Sequence, residues 1–202
     1  HAWLDVPRTL PPKRIARERS ADFREIYALY DEAAVREQAS RCIVCPDALC
    51  IPACPVTNRI PEWLALAAQG KFDEAAKISA ATSNMPEICG RLCPQERLCE
   101  GACILNSHSM PVTIGAIEVF LTEHAFAHGD IDSAVATPNG FRVACVGSGP
   151  ASMSCADELA KRGAPGHILD GDGPAAKARG DDGSDPPALR AELHVPELNI
   201  LP

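Results

Sequence analysis

Eight of the ten cysteines fall into two tight groups, Cys42-x2-Cys45-x4-Cys50-x3-Cys54-Pro55 and Cys89-x3-Cys93-Pro94-x4-Cys99-x3-Cys103. Thiols this close in sequence reach a common point at little loop-closure cost, and several soft thiolates around one small cube is what a 4Fe-4S cluster requires. Neither group repeats the two-cluster ferredoxin spacing residue for residue. Both contain Cys-Pro, which in those ferredoxins marks the cysteine that crosses to the other cluster. Proline removes a backbone donor and turns the chain, so Cys54 and Cys93 are the predicted crossover positions.

Two other uses of the thiols compete. Structural zinc favours paired Cys-x2-Cys units or Cys/His sets, and only Cys42 and Cys45 fit that pattern. A disulfide framework suits a small secreted domain, whereas this chain shows no apolar signal segment and has ordinary core-forming content, so a reducing, cytoplasmic setting is expected. His108, His124 and His128 do not sit at ligand spacing with the cysteines and read as surface or packing residues.

Length and charge add bounds. The 202 residues allow one large or two small domains, and 19 basic against 27 acidic residues give a net charge of −8. With aromatics at 4% and no basic stripe, a nucleic-acid platform is not expected. No apolar run approaches the length of a membrane span.

Along the chain, residues 1–20, with Pro7, Pro11 and Pro12, predict an extended arm. Residues 21–138 predict a helical domain with two 4Fe-4S clusters. Within it, Phe23, Ile26, Tyr27, Tyr30, Ala33 and Ala34 recur at helical spacing and predict a helix over 21–40 that runs into Cys42. A second helix is predicted from Pro61 with Gly70 as its stop, and a third over 72–81. A fourth follows Thr113 as N-cap, with its apolar stripe at 114, 117, 121 and 125 and Gly129 as its stop. Glu118 borders that stripe, where an unpaired carboxylate is costly. A salt bridge to Arg91 or Arg97 would satisfy it, and so would a metal ion.

A second signal begins at Phe141. Residues 141–146 read as a buried strand, Gly147-Ser-Gly149-Pro-Ala-Ser152 as a glycine turn, 151–162 as a helix and 167–170 as a second strand. Strand, turn, helix and strand in that order predict a dinucleotide-binding βαβ unit over 139–170, with the pyrophosphate at the helix N-terminus. Asp170, 23 residues after Gly147, is placed to bind ribose hydroxyls. Ser152 departs from the glycine or alanine usual at its position. Cys145 and Cys155 read as small core residues of this unit.

Residues 171–187 are Gly, Pro, Ala or Asp at 14 of 17 positions, a composition that buries no core. The tail 171–202 is therefore predicted irregular and the nucleotide-binding unit incomplete, as a fragment or as a half completed by a partner. The expected fold class is a helical two-cluster domain followed by an incomplete Rossmann-like βαβ unit.

The stretches Gln38-Ala-Ser-Arg-Cys42, Cys54-Pro-Val-Thr-Asn-Arg-Ile-Pro-Glu-Trp63, Pro86-Glu-Ile-Cys-Gly-Arg-Leu-Cys-Pro-Gln95, Arg97-Leu-Cys-Glu-Gly-Ala-Cys103 and Val112-Thr-Ile-Gly-Ala-Ile-Glu118 resemble the small (beta) subunit of NADPH-dependent glutamate synthase. The same module resembles the N-terminal part of dihydropyrimidine dehydrogenase and the large subunit of electron-bifurcating transhydrogenases. The likeness covers residues 10 to 170.

The resemblance implies one cluster on Cys42, Cys45, Cys50 and Cys103, and a second on Cys54, Cys93, Cys99 and Glu118. It leaves Cys89 without an iron. It makes Gly147, Gly149, Pro150, Ala151 and Asp170 contacts of FAD rather than of NAD. It also implies an electron-transfer subunit that links a flavin, reduced by NAD(P)H, to the redox centre of a larger partner subunit. The family's NAD(P)H domain has no counterpart in this sequence, so NAD(P)H is expected to bind elsewhere. The rival expectation is a flavin-free two-cluster adaptor inside a larger complex.

Overall fold

The computed structural model describes residues 2–128, 136–164 and 166–169, which fall in two compact units, His1–Asp132 and Ser133–Pro202. The first unit is helical. Its elements are α1 (Ala2–Asp5), α2 (Ala16–Arg19), α3 (Glu32–Ala39), α4 (Ile60–Ala68), α5 (Phe72–Ala80), α6 (Pro86–Leu92) and α7 (Ile114–His128), with 3-10 turns at Gln95–Arg97 and Ile104–Ser107.

The helix predicted over 21–40 forms only at its end, as α3. Upstream, Arg14 holds Asp22 through two hydrogen bonds of 2.9 and 2.7 Å. The guanidinium's hydrogen bond holds the Asp22 carboxyl down to about 2. Arg14 N–H donates to Ile26 C=O and Ala28 N–H to Pro12 C=O, so this stretch pairs with the N-terminal segment as extended chain. Asp31 then caps α3 by accepting from Ala34 N–H at 2.7 Å. Phe23 projects fully into solvent. Its helical spacing with Tyr30 therefore describes no shared face. The arm predicted as extended carries two single-turn helices, α1 and α2.

Gln38 and Glu100 tie that arm down. Thr9 N–H donates to Gln38 Oε1 at 3.1 Å, and Gln38 Nε2 donates to Pro7 C=O at 3.0 Å. Arg8 reaches Glu100 at 2.7 Å, and the other oxygen of Glu100 accepts from Gly115 N–H in α7. The Tyr30 hydroxyl bridges Thr9 C=O and Thr113 Oγ1. Thr113, predicted as the N-cap of α7, spends its hydroxyl on that bond.

Helices α3, α4, α5 and α7 surround one core. Val35, Trp63, Leu64, Ala67, Ile117 and Leu121 are at most 1% exposed, and burying each large side chain contributes about 1.5–3 kcal/mol. Helix α4 stops as the sequence predicts. Gly70 takes φ +78°, and the N–H groups of Gly70 and Lys71 bond back to Ala67 and Leu66 C=O at 3.0 Å, which satisfies the last carbonyls of the helix. Gly70→Ala is expected to cost about 1 kcal/mol, since an L side chain is strained at positive φ. A urea midpoint equal to that of the parent chain would contradict this.

The second unit contains β1 (Val143–Val146), α8 (Pro150–Lys161) and β2 (Gly166–Leu169). The strands pair in parallel from Val143↔Gly166 to Val146↔Leu169. Gly147 turns the chain at φ +96° and Pro150 opens α8. Cys145 is buried, as expected for a core residue, but Cys155 is exposed on α8. Asp170, Gly129 and the tail 171–202 lie outside the described residues. Among the described residues no helix is long and apolar enough to cross a membrane.

Candidate metal centre

All eight grouped cysteines are free thiols, each partly exposed. Short hydrogen-bonded turns set their directions. Cys42 leaves the end of α3 with its N–H on Ala39 C=O, and Cys54 closes a turn on Ile51 C=O. Cys93 caps the C-terminus of α6, and Cys99 and Cys103 lie on consecutive turns after Gln95–Arg97.

The thiols sort into two neighbourhoods that cut across the two sequence groups. Cys50 feels the charges of Cys42, Cys103 and Cys45, and Cys42 feels Cys103 and Cys45. Cys93 feels Cys89, Glu118 and Cys54, while Cys99 feels Glu118 and Cys54. Burial first, then mutual repulsion, pushes Cys42 and Cys93 up to about 11 and Cys50 and Cys99 up to about 12. Protein atoms alone leave these thiols protonated near neutrality, so any ion they bind must displace protons.

The first neighbourhood opens on a small apolar cavity lined by Cys42, Cys45, Cys50 and Cys103 together with Ile43, Leu49, Leu64 and Ile114. Val44 adopts φ +50°, a region that β-branched residues rarely visit, and its backbone acts to lower the Cys42 pKa against the effect of burial. The Glu100 backbone does the same for Cys99. Both backbone groups thereby favour the thiolate.

The second neighbourhood depends on a close helix approach. A Cβ on Gly90 would come within 2.7 Å of Val119 Cγ2, so only glycine lets α6 lie this near α7 and brings Cys93 beside Glu118. Arg91 pairs with Glu25 and Glu123 at 2.6 and 2.8 Å, and Arg97 lies 4.0 Å from Glu96. The salt bridge considered for Glu118 is therefore not formed. Its carboxylate meets Ser79 instead, whose hydroxyl donates to Oε1 at 3.2 Å. Burial raises its carboxyl to about 7, against the lowering effect of that bond. Ser79 is itself held by Asn58, which donates to Ser79 C=O and accepts from Trp63 Nε1, both at 2.8 Å. This buried chain links the loop after Cys54 to Glu118. Sequence reasoning missed both Asn58 and Ser79, since neither residue type at its position signals a buried polar link.

Cys89, on α6, meets the Ser83 hydroxyl at 3.6 Å and lies against Cys93. Among the described residues no three side chains converge as ligands of a single ion would. A cube takes one ligand per iron, so its thiolates stand apart. In the second unit, nothing lies within 4 Å of where a Cβ on Gly149 would be. That leaves open space at the N-terminus of α8.

The chain matches the family described as dihydropyrimidine dehydrogenase domain II, 4Fe-4S cluster, over residues 19–130. It is 42% identical over 171 residues to the glutamate synthase (NADPH) small chain of Escherichia coli strain K12, covering 84% of this chain and 36% of that one. The small chain of Azospirillum brasilense is 42% identical over 172 residues, covering 83% of this chain and 35% of the relative. That of Halomonas elongata is 44% identical over 169 residues, with 83% and 36% covered. The chain thus spans about a third of the length of these relatives.

Proposed function

The chain belongs to the dihydropyrimidine dehydrogenase domain II, 4Fe-4S cluster family, and from that premise we propose that it is an electron-transfer subunit of a cytoplasmic flavin and iron-sulfur oxidoreductase of the glutamate synthase type. Cys42, Cys45, Cys50 and Cys103 would hold one 4Fe-4S cluster, and Cys54, Cys93, Cys99 and Glu118 a second. The observation that carries this is the sorting of the thiols into two neighbourhoods, each drawing thiols from both cysteine groups, with Glu118 beside the second.

When bound, such clusters supply one-electron transfer at potentials set by ligand type, hydrogen bonding and burial. The chain's own residues define those conditions. Val44 and Glu100 backbone groups favour the thiolates, Ile43, Leu49, Leu64 and Ile114 give the first site an apolar lining, and Ser79 donates to Glu118. In the second unit Gly147, Gly149, Pro150 and Ala151 would face the pyrophosphate of FAD and Asp170 its ribose. The positive φ of Gly147 and the free space at Gly149 support that assignment. NAD(P)H would bind to another part of the complex, and a larger subunit would receive the electrons.

Anaerobically purified chain is expected to contain two cubes, about eight irons and about eight sulfides per chain, with a visible chromophore. Stoichiometric zinc without colour would overturn the proposal. Clusters without FAD would favour the flavin-free adaptor.

A further inference from the structure

Arg41, immediately before Cys42, is the largest buried cation of the first unit. It is 1% exposed. One of its nitrogens, Nη2, donates to Met110 C=O at 2.6 Å, while Nε and Nη1 are buried without a hydrogen-bond partner. Among the described residues, no carboxylate acts on its charge. The groups that do are Arg8, itself a cation, and the Cys103 and Tyr30 side chains. Glu100, a buried carboxylate of the same unit, is taken by Arg8 at 2.7 Å and by Gly115 N–H.

A guanidinium is charged at every accessible pH, and burying one without a counter-ion is strongly unfavourable. The fold nevertheless closes over this one, beside a cysteine of the first thiol set. A cube on four thiolates is an anion in both oxidation states and gains a further negative charge on reduction.

We propose that Arg41 is the fixed counter-charge of the cluster on Cys42, Cys45, Cys50 and Cys103, and that it raises that cluster's reduction potential relative to the second. It acts as a positioning residue, through the charge it places beside Cys103 and not by ligation. The reduced cluster carries more negative charge than the oxidised one, so a nearby cation favours the reduced form. The proposal rests on the ligand set given under Proposed function.

The test compares the parent chain with Arg41→Gln and Arg41→Lys, reading iron per chain and both midpoint potentials by EPR-monitored titration. Arg41→Gln is expected to disfavour reduction of one cluster at least tenfold, about 59 mV for one electron, with the other potential unchanged. Arg41→Lys, which keeps the charge, is expected to stay near the parent. If Arg41→Gln fails to load the first cluster while Arg41→Lys loads it, the charge requirement stands. Equal behaviour of Gln and Lys, whether both normal or both deficient, overturns it. A parent chain without cluster iron would refute the ligand set itself, whereas a normally loaded parent with an unshifted Arg41→Gln would refute only the role of Arg41.

Discussion

Cys93→Ser is expected to remove one cluster and about half of the iron, whereas Cys89→Ser keeps both clusters, although the two cysteines lie against each other at the end of α6. The difference lies in their wider surroundings. Cys93 shares its neighbourhood with Cys54 and Glu118, while the Cys89 thiol meets the Ser83 hydroxyl and Cys93. Iron and sulfide analysis, with EPR of the reduced proteins, reads the result directly. A Cys89→Ser protein with half the iron, alongside a Cys93→Ser protein with all of it, would reverse the assignment.

Glu118→Ala is expected to lose the second cluster or convert it to a form with fewer irons, while Glu118→Gln retains a cluster at a shifted potential because an amide oxygen still coordinates. A carboxylate is a harder ligand than a thiolate, so the parent's two potentials should differ within a class that spans roughly −700 to +450 mV. The pH dependence follows from the carboxyl's position near 7. Coordination needs the carboxylate, so loading of the second site should tighten as pH rises through about 7 and weaken below it. Release of protons from Cys93 and Cys99 acts in the same direction. Unchanged iron content, EPR signals and potentials in Glu118→Ala would leave Glu118 as a buried acid held by Ser79.

The parts of the fold legible in the sequence were those with a single local cause. Gly70 stops α4 because positive φ is needed there, and β1 and α8 form in the expected order around Gly147, but the strand expected to be buried on its apolar pattern leaves Phe141 71% and Val146 80% exposed. The stretch 21–31 misled because helical spacing of Phe23, Ile26 and Tyr27 carries no information about a competing partner. Arg14, nine or more residues upstream of those positions, captures Asp22 and holds the chain extended. Helix α6 was invisible for another reason. Its seven residues are too few to show a period, and Gly90, a poor helix former, sits inside it because α7 must pass close by. At the candidate site, cysteine spacing revealed the chemistry. What it could not reveal was the polar support, since Asn58, Ser79 and Arg41 matter through residues far away in sequence, Ser79, Glu118 and Cys103.

The exchange of cysteines between the two groups has a consequence for biosynthesis. Cys103 lies with Cys42, Cys45 and Cys50, and Cys54 lies with Cys93 and Cys99. With the ligand sets proposed above, a nascent chain cannot complete either set until the second cysteine group has left the ribosome, and the second set must wait for Glu118 as well. Three thiols of the first set are exposed to the cell for the whole time that residues 51–103 are being made. Delivery of preassembled clusters is best timed to a nearly finished first unit, with both sites filling in close succession, and a ribosome stalled anywhere between the two groups should yield a product that holds no intact cube.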